Sequence, residues 1–198
     1  MTPLLIIGAG GHGKVVADTA HASGYTNIAF LDDAWPEKTK NGSWDLCGIP
    51  TISQTSTFCA VGNNAARERI FSDFELSNAP VLKHPSSIVS PSSRFGEGTL
   101  LVAGTIVNAD TRIGRGVILN TACSVDHDCK IGDFAHISPG ARLAGGVKVG
   151  KRSWIGIGAV VREGIHIGDD VIVGAGSVVV EDIISGAKVC GVPARTMR

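Results

Sequence analysis

The sequence predicts a parallel β solenoid of six-residue repeats behind a small α/β unit, and three observations predict the solenoid. The first is a ladder. Val89, Phe95, Leu101, Val107, Ile113, Leu119, Val125, Ile131, Ile137, Leu143, Val149, Ile155, Val161, Ile167, Val173 and Val179 are sixteen apolar residues six apart without a miss. With 43% of the chain hydrophobic, sixteen hits in one register arise by chance at roughly 10⁻⁶, so the period belongs to the fold. Six is neither the 3.6 of a helix nor the two of a simple strand; it marks a solenoid whose repeat supplies one short strand and one turn. The second observation is that Gly96, Gly114, Gly132, Gly150 and Gly168 each follow a ladder residue and recur every eighteen positions. Three repeats therefore close one triangular coil, with glycine where the backbone turns sharply or takes a positive φ. The third is that the slot two before the ladder holds mostly small residues (Ser93, Thr99, Thr105, Thr111, Cys123, Cys129, Ala135, Ala141, Ser153, Ala159, Ser177), as a narrow interior requires. Five coils at about 4.8 Å each make a prism roughly 25 Å long.

The front of the chain reads differently. Leu4–Ile7 is a wholly apolar run, the pattern of a strand buried on both faces. It runs into Gly8-Ala9-Gly10-Gly11-His12-Gly13, then a helical stretch from Lys14 to Ser23 that Gly24 ends. Ile28–Leu31 makes a second strand closing on Asp32-Asp33, which completes a βαβ unit. A polar loop with Pro36, Gly42 and Trp44 follows. Phe58–Val61 is the next strand and opens onto Gly62-Asn63-Asn64; Ala65 to Leu76 reads as a helix and Ala79–Leu82 as a last strand. Residues 1–84 are thus expected to form an α/β domain and residues 85–198 the β-helix.

Gly8, Gly10 and Gly13 match G-x-G-x-x-G, with Asp32 and Asp33 nineteen and twenty residues beyond Gly13. That pattern binds phosphate at a helix N-terminus. The domain is only half a dinucleotide fold and no redox domain follows, so a mononucleotide or nucleotide-sugar fits better than NAD. The loops at Gly10-Gly11-His12, Asp32-Asp33 and Gly62-Asn63 leave the carboxyl ends of three parallel strands, the edge where open α/β sheets bind ligands.

Composition narrows the function classes. Lys plus Arg and Asp plus Glu are both 18, and neither sign forms a long run, which gives no support to nucleic acid or an anionic membrane as partner. No apolar stretch approaches a membrane span, and Met1-Thr2-Pro3-Leu4 lacks a basic leader. Five cysteines without paired spacing fit reduced thiols and a cytoplasmic location.

These motifs, with Asn120-Thr121, Val125-Asp126-His127-Asp128-Cys129, His136-Ile137-Ser138 and the ending Gly191-Val192-Pro193-Ala194-Arg195, resemble the bacterial N-acetyltransferases acting on UDP-4-amino-4,6-dideoxy sugars to make UDP-N,N′-diacetylbacillosamine. Sialic acid O-acetyltransferases share the architecture. The resemblance implies a left-handed parallel β-helix, acetyl-CoA as co-substrate with no metal, and a homotrimer with acetyl-CoA between adjacent prisms. It also implies that Gly10, Gly11, His12, Asp32, Asp33, Gly62 and Asn63 hold the UDP-sugar, and that His136, Ile157 and Ala175 contact acetyl-CoA. Relatives carry Gly where Ala175 stands.

His127 lies two places past ladder residue Val125, in an outward register, between Asp126 and Asp128. Attack of an amine on a thioester needs a group that takes a proton near neutral pH, and imidazole does so without a large shift. A neighbouring carboxylate orients the ring; the resemblance assigns that role to Asp128, where some relatives have Glu. Gly145 is His127 plus eighteen, so it sits one coil on along the same edge, where its N–H is available as an oxyanion donor. His136 is half a coil from His127, so one prism cannot bring both to one edge. Three rivals stand beside N-acetyl transfer: sugar O-acetylation, a metal-dependent β-helix of the γ-carbonic anhydrase kind, and a nucleotide-sugar-binding protein without turnover.

Overall fold

The structure, a computed structural model, describes residues 3–197. Met1 and Thr2, read above as the start of a chain without a leader, and Arg198, the end of the expected β-helix segment, lie outside the described residues. The chain forms an α/β unit followed by a parallel β-helix, which is left-handed.

The front unit is a five-stranded sheet ordered β3-β4-β2-β1-β5, where β1 is Leu4–Ile7, β2 Ile28–Leu31, β3 Lys40–Asn41, β4 Trp44–Gly48 and β5 Ser56–Cys59. Strands β1, β2, β4 and β5 run parallel and β3 pairs antiparallel with β4. The β3–β4 hairpin occupies what the sequence presents as a polar loop. Helix α1 covers Gly11–Ala22 and buries Val16, Ala17 and Ala20. At Gly13 a side chain would collide with the Gly8 carbonyl, so the third glycine of the motif lets α1 lie close on β1. Helix α2 is Asn64–Asp73, capped by Asn63, whose Oδ1 accepts from Ala66 N–H at 2.9 Å.

The expected last strand of the front unit belongs elsewhere. Leu82–Lys83 pairs parallel with Leu100–Leu101 and opens the solenoid, with Lys83 in the ladder register six before Val89. A lysine at a ladder position hides the repeat from a hydrophobicity pattern, although Leu82 beside it is buried.

In the solenoid, ladder residues and small-slot residues fill the interior. From Gly98 to Gly176 every sixth residue has a positive φ. This is the corner, three past the ladder, and it includes non-glycine residues such as Asp110, Ala122 and Asp128, which take this conformation at a cost of about 1 kcal/mol each. The column Gly96–Gly168 has a different cause from the turn expected there. Those residues lie where successive coils touch: a Cβ on Gly132 would meet Lys151 N at 2.7 Å, and one on Gly168 would meet Ser185 N at 2.5 Å.

The residues just before the ladder point outward and give each prism face its character. On one face Leu82, Leu100 and Ile118 are buried under the front unit and share a core with Leu4, Ile6 and Phe30, whereas Trp154 and Ile172 farther along are exposed. The second face carries Ile88, Ile106, Val160 and Val178, with Ile88 66% exposed, and is apolar apart from Ser124 and Arg142 at its middle. The third carries Arg94, Arg112, Lys130, Lys148 and His166.

Arg67 on α2 staples the front unit to the covered face. It is 1% exposed. Its Nε donates to Gly116 O at 2.7 Å, Nη1 to the Val61 and Gly62 carbonyls, and Nη2 to Phe134 O at 2.6 Å and to Asn64 Oδ1. Among the described residues no carboxylate pairs with it, and burial lowers its pKa to about 10. Arg67→Leu leaves these buried carbonyls without donors, so it is expected to cost roughly 3 kcal/mol or more. Arg67→Lys should recover part of that, having three donors instead of five. Chemical denaturation measures both; a midpoint unmoved by Arg67→Leu contradicts the stapling role.

Candidate active site

His127 stands on the edge where the apolar face turns into the cationic one. Its corner neighbour Asp128 has φ +60, and the left-handed backbone brings its carboxylate back to the ring: His127 Nδ1 donates to Asp128 Oδ2 at 2.8 Å. A carboxylate only accepts, so Nδ1 carries the hydrogen and Nε2 keeps a free lone pair. Asp126 fixes the backbone beneath by accepting from His127 N–H at 2.8 Å, and is itself held by Asn108 Nδ2, also at 2.8 Å. The hydrogen bond to Asp128, and next the charge of Asp126, raise the His127 pKa above its ordinary value. The Asn108 hydrogen bond, and next the His127 N–H, lower that of Asp126.

Gly145 lies one coil on, as its spacing predicts, directly against the imidazole. A Cβ built there would stand 2.6 Å from both Nε2 and Cε1 of His127. The coils are locked together at this point by Gly146 N–H donating to His127 O at 2.8 Å. Imidazole, carboxylate and the Gly145 main chain thus form one exposed group suited to proton transfer at Nε2.

His136 is not on this edge. It lies on the face the front unit covers, 9% exposed, stacked on Trp154 with ring centroids 5.8 Å apart and 6.4 Å from His12. Asn120 Nδ2 donates to its Nε2 at 3.0 Å. Burial first, then the Arg67 charge, lowers His136 to about 3 and His12 to about 4, so both rings are neutral at physiological pH. His12 Nε2 is buried without a hydrogen-bond partner among the described residues. Ile157, 60% exposed, and Ala175 lie together on the edge between the covered and apolar faces.

The front loops gather as the topology requires, since β2, β1 and β5 are adjacent and parallel. Gly10 and Gly11 have open space around them, and no side chain caps the first turn of α1, which leaves its N–H groups available to an anion. Asp32 braces this loop: Oδ2 accepts from Ala9 N–H at 2.6 Å and Oδ1 from Ala34 N–H at 3.0 Å. Asp33 follows at the same sheet edge. Gly62 and Asn63, with Asn64, Arg152, Trp154 and Ile172, line a cleft of about 420 Å³ between α2 and the solenoid. Asn64 Nδ2 donates to Arg152 O at 2.7 Å across it, and the Arg152 guanidinium is gripped by Asp170 and Glu68.

Arg67, Trp154 and Arg152 are the residues of this region that the sequence does not announce. An arginine on an otherwise polar helix reads as a surface residue, and only the packing of α2 on the solenoid buries it. Among the described residues no three His, Cys, Asp or Glu side chains gather to hold a metal ion, and no helix is long and apolar enough to cross a membrane.

Known proteins share this fold. A model of the PglD N-terminal domain matches residues 3–74, and one of the bacterial transferase hexapeptide (six repeats) matches residues 146–180. The acetyltransferase domain of PglB from Neisseria gonorrhoeae FA1090, solved in complex with acetyl coenzyme A, is 42% identical, with 99% of each chain covered and a TM-score of 0.93. PerB from Caulobacter crescentus, solved with CoA and GDP-perosamine, is 38% identical, covering 100% of this chain and 98% of that one, with a TM-score of 0.93. A curated UDP-N-acetylbacillosamine N-acetyltransferase of Bacillus subtilis (strain 168) is 39% identical over 114 residues. That match spans about half of each chain, 52% of both.

Proposed function

The chain belongs to the bacterial nucleotide-amino-sugar N-acetyltransferase family, and on that premise we propose that it transfers the acetyl group of acetyl-CoA to the 4-amino group of a UDP-4-amino-4,6-dideoxy-N-acetyl-hexosamine in the cytoplasm. The observation that carries the reading is the His127–Asp128 pair with Nε2 free beside Gly145. The amine lone pair attacks the thioester carbonyl carbon, and Nε2 takes the proton the nitrogen sheds. Asp128 holds the tautomer and balances the imidazolium. The Gly145 N–H, which donates to no group among the described residues, supports the carbonyl oxygen as it gains charge. Collapse of the tetrahedral adduct breaks the C–S bond, and the proton leaves with the CoA thiol.

The front loops suit the nucleotide: open glycines at the start of α1, with Asp32 and Asp33 alongside. A trimer completes the site in this reading. The apolar face carries exposed Ile88 and Val160, left uncovered by the described residues. Three such faces packed about an axis set the His127 edge of one prism beside the Ile157–Ala175 edge of the next, where acetyl-CoA fits between them. His136, buried behind Asn120 and Trp154, backs this cleft instead of acting as a base. A fully active monomer by light scattering contradicts this assembly.

The division of substrates between the two units is tested by Asp32→Ala, which unbraces the glycine loop. KM for the nucleotide-sugar should rise about tenfold or more, as expected when a charge-assisted hydrogen bond is lost. KM for acetyl-CoA should stay nearly constant. Equal rises in both would mean that the front unit does not carry the nucleotide alone.

A further inference from the structure

The cationic face is the feature that neither the fold nor the reaction just proposed accounts for. Arg94, Arg112, Lys130 and Lys148 are four cations in direct register in successive coils, each opposite the next; His166 follows in the column, and its backbone N–H donates to Asp182 Oδ1 at 2.8 Å. Like charges set directly opposite one another in a sheet destabilise it, and the coil spacing is only about 4.8 Å. None of the five makes an ion pair among the described residues; Arg94 donates only to the carbonyls of Pro91 and Ser93. All five are exposed. Arg112, Lys130, Lys148 and His166 line a groove of about 540 Å³ together with the glycine column Gly114–Gly168. Two carboxylates lie against that column, each held by main-chain N–H: Asp133 beside Gly114, also 3.4 Å from the Arg115 guanidinium, and Asp169 beside Gly150.

The groove shares its face with the catalytic edge, which lies at the start of the two-residue strands while the glycine column lies at their end. Lys130 follows His127 by three residues and Lys148 follows Gly145 by three, so each cation opens the strand that leaves the corner where the chemistry sits. The acids Asp126 and Asp128 at that corner are committed to His127 and Asn108. Anything that reaches His127 over this face passes along a row of unpaired positive charge.

We propose that this column is an anion-guiding wall that draws the phosphate groups of the two substrates toward the His127 edge. It rests on the acetyl-transfer reading in naming those anions: a nucleoside diphosphate on one substrate and the phosphates of CoA on the other. A cleft lined by one sign of charge raises the local concentration of oppositely charged ligand and its rate of arrival, by a factor that falls as salt is added. Retaining like charges in register is then a stability sacrificed for capture.

The test compares the unmodified protein with the double variant Lys130→Gln/Lys148→Gln, using Arg69→Gln/Lys40→Gln, two exposed cations of the front unit, as a charge-matched control. At low ionic strength the double variant should lose about tenfold in kcat/KM for both substrates through KM, with the loss closing as salt is raised. The control should follow the unmodified protein. A second arm needs no turnover: titration calorimetry with CoA and with UDP at low and high salt should show weaker, less salt-sensitive binding only in the double variant. If the unmodified protein releases no thiol yet binds CoA in a column-dependent, salt-sensitive way, the acetyl-transfer reading fails and the anion wall stands. Salt dependence equal in all three proteins, or no binding of CoA or UDP, overturns the wall.

Discussion

Replacing His127 by alanine is expected to lower kcat by about 10²–10⁴, the usual worth of a positioned general base. Binding of acetyl-CoA should survive, because in the proposed site its contacts run along the Ile157–Ala175 edge and not on the imidazole. Asp128→Asn should cost less, since the ring stays and only its orientation and charge support are removed. The pH profile separates the two. The base must be neutral to accept a proton, and His127 is raised above the ordinary histidine value of about 6.5. kcat/KM should therefore rise with pH through a midpoint above that value. Asp128→Asn removes the leading cause of the upward shift, so its midpoint should move down toward about 6.5 even as the maximal rate falls. Near-normal turnover in His127→Ala would place the base elsewhere.

The second large effect is expected from the smallest substitution. In Gly145→Ala the new methyl would stand 2.6 Å from Nε2 and Cε1 of His127, so the ring has to swing away. The ring is exposed, and it can move without disturbing the core. Gly145 is also not among the positive-φ residues, so alanine fits its backbone. Stability should stay within about 0.5 kcal/mol, as for a surface substitution, while kcat falls about 10²-fold, the scale of a reacting group displaced by an ångström. Denaturation and steady-state kinetics on one preparation check both. A variant that loses stability and activity together would reduce Gly145 to a structural corner.

Much of this was legible in the chain because it repeats. The ladder and the small slot recur often enough to define coil, interior and edges, and the eighteen-residue period alone places Gly145 against His127. The front βαβ unit was legible from its apolar strands and glycine loop. The hairpin Lys40–Gly48 was not, because Lys40, Asn41, Trp44 and Asp45 carry no apolar alternation and its pairing depends on β2. Leu82–Lys83 was hidden by a lysine in the ladder register. The burial of Arg67 and His136 was out of reach for another reason: it arises where α2 and the helix face meet, between residues whose separation in sequence, 49 from Arg67 to Gly116 and 67 to Phe134, no local pattern reports. Nor does the glycine period reveal its own cause, since contact between coils and a positive φ both demand the same residue.

Thiol release from acetyl-CoA, followed across a panel of UDP-4-amino-4,6-dideoxy sugars, GDP-4-amino sugars and sialic acids, tests the central claim most directly. The account predicts turnover with a UDP-4-amino sugar, an amide at the sugar C4 nitrogen in the product, and little or no release with sialic acids. Release with sialic acid alone, giving an ester, would contradict the amine as acceptor; no release with any of them, despite nucleotide-sugar binding, would contradict the acetyltransferase itself.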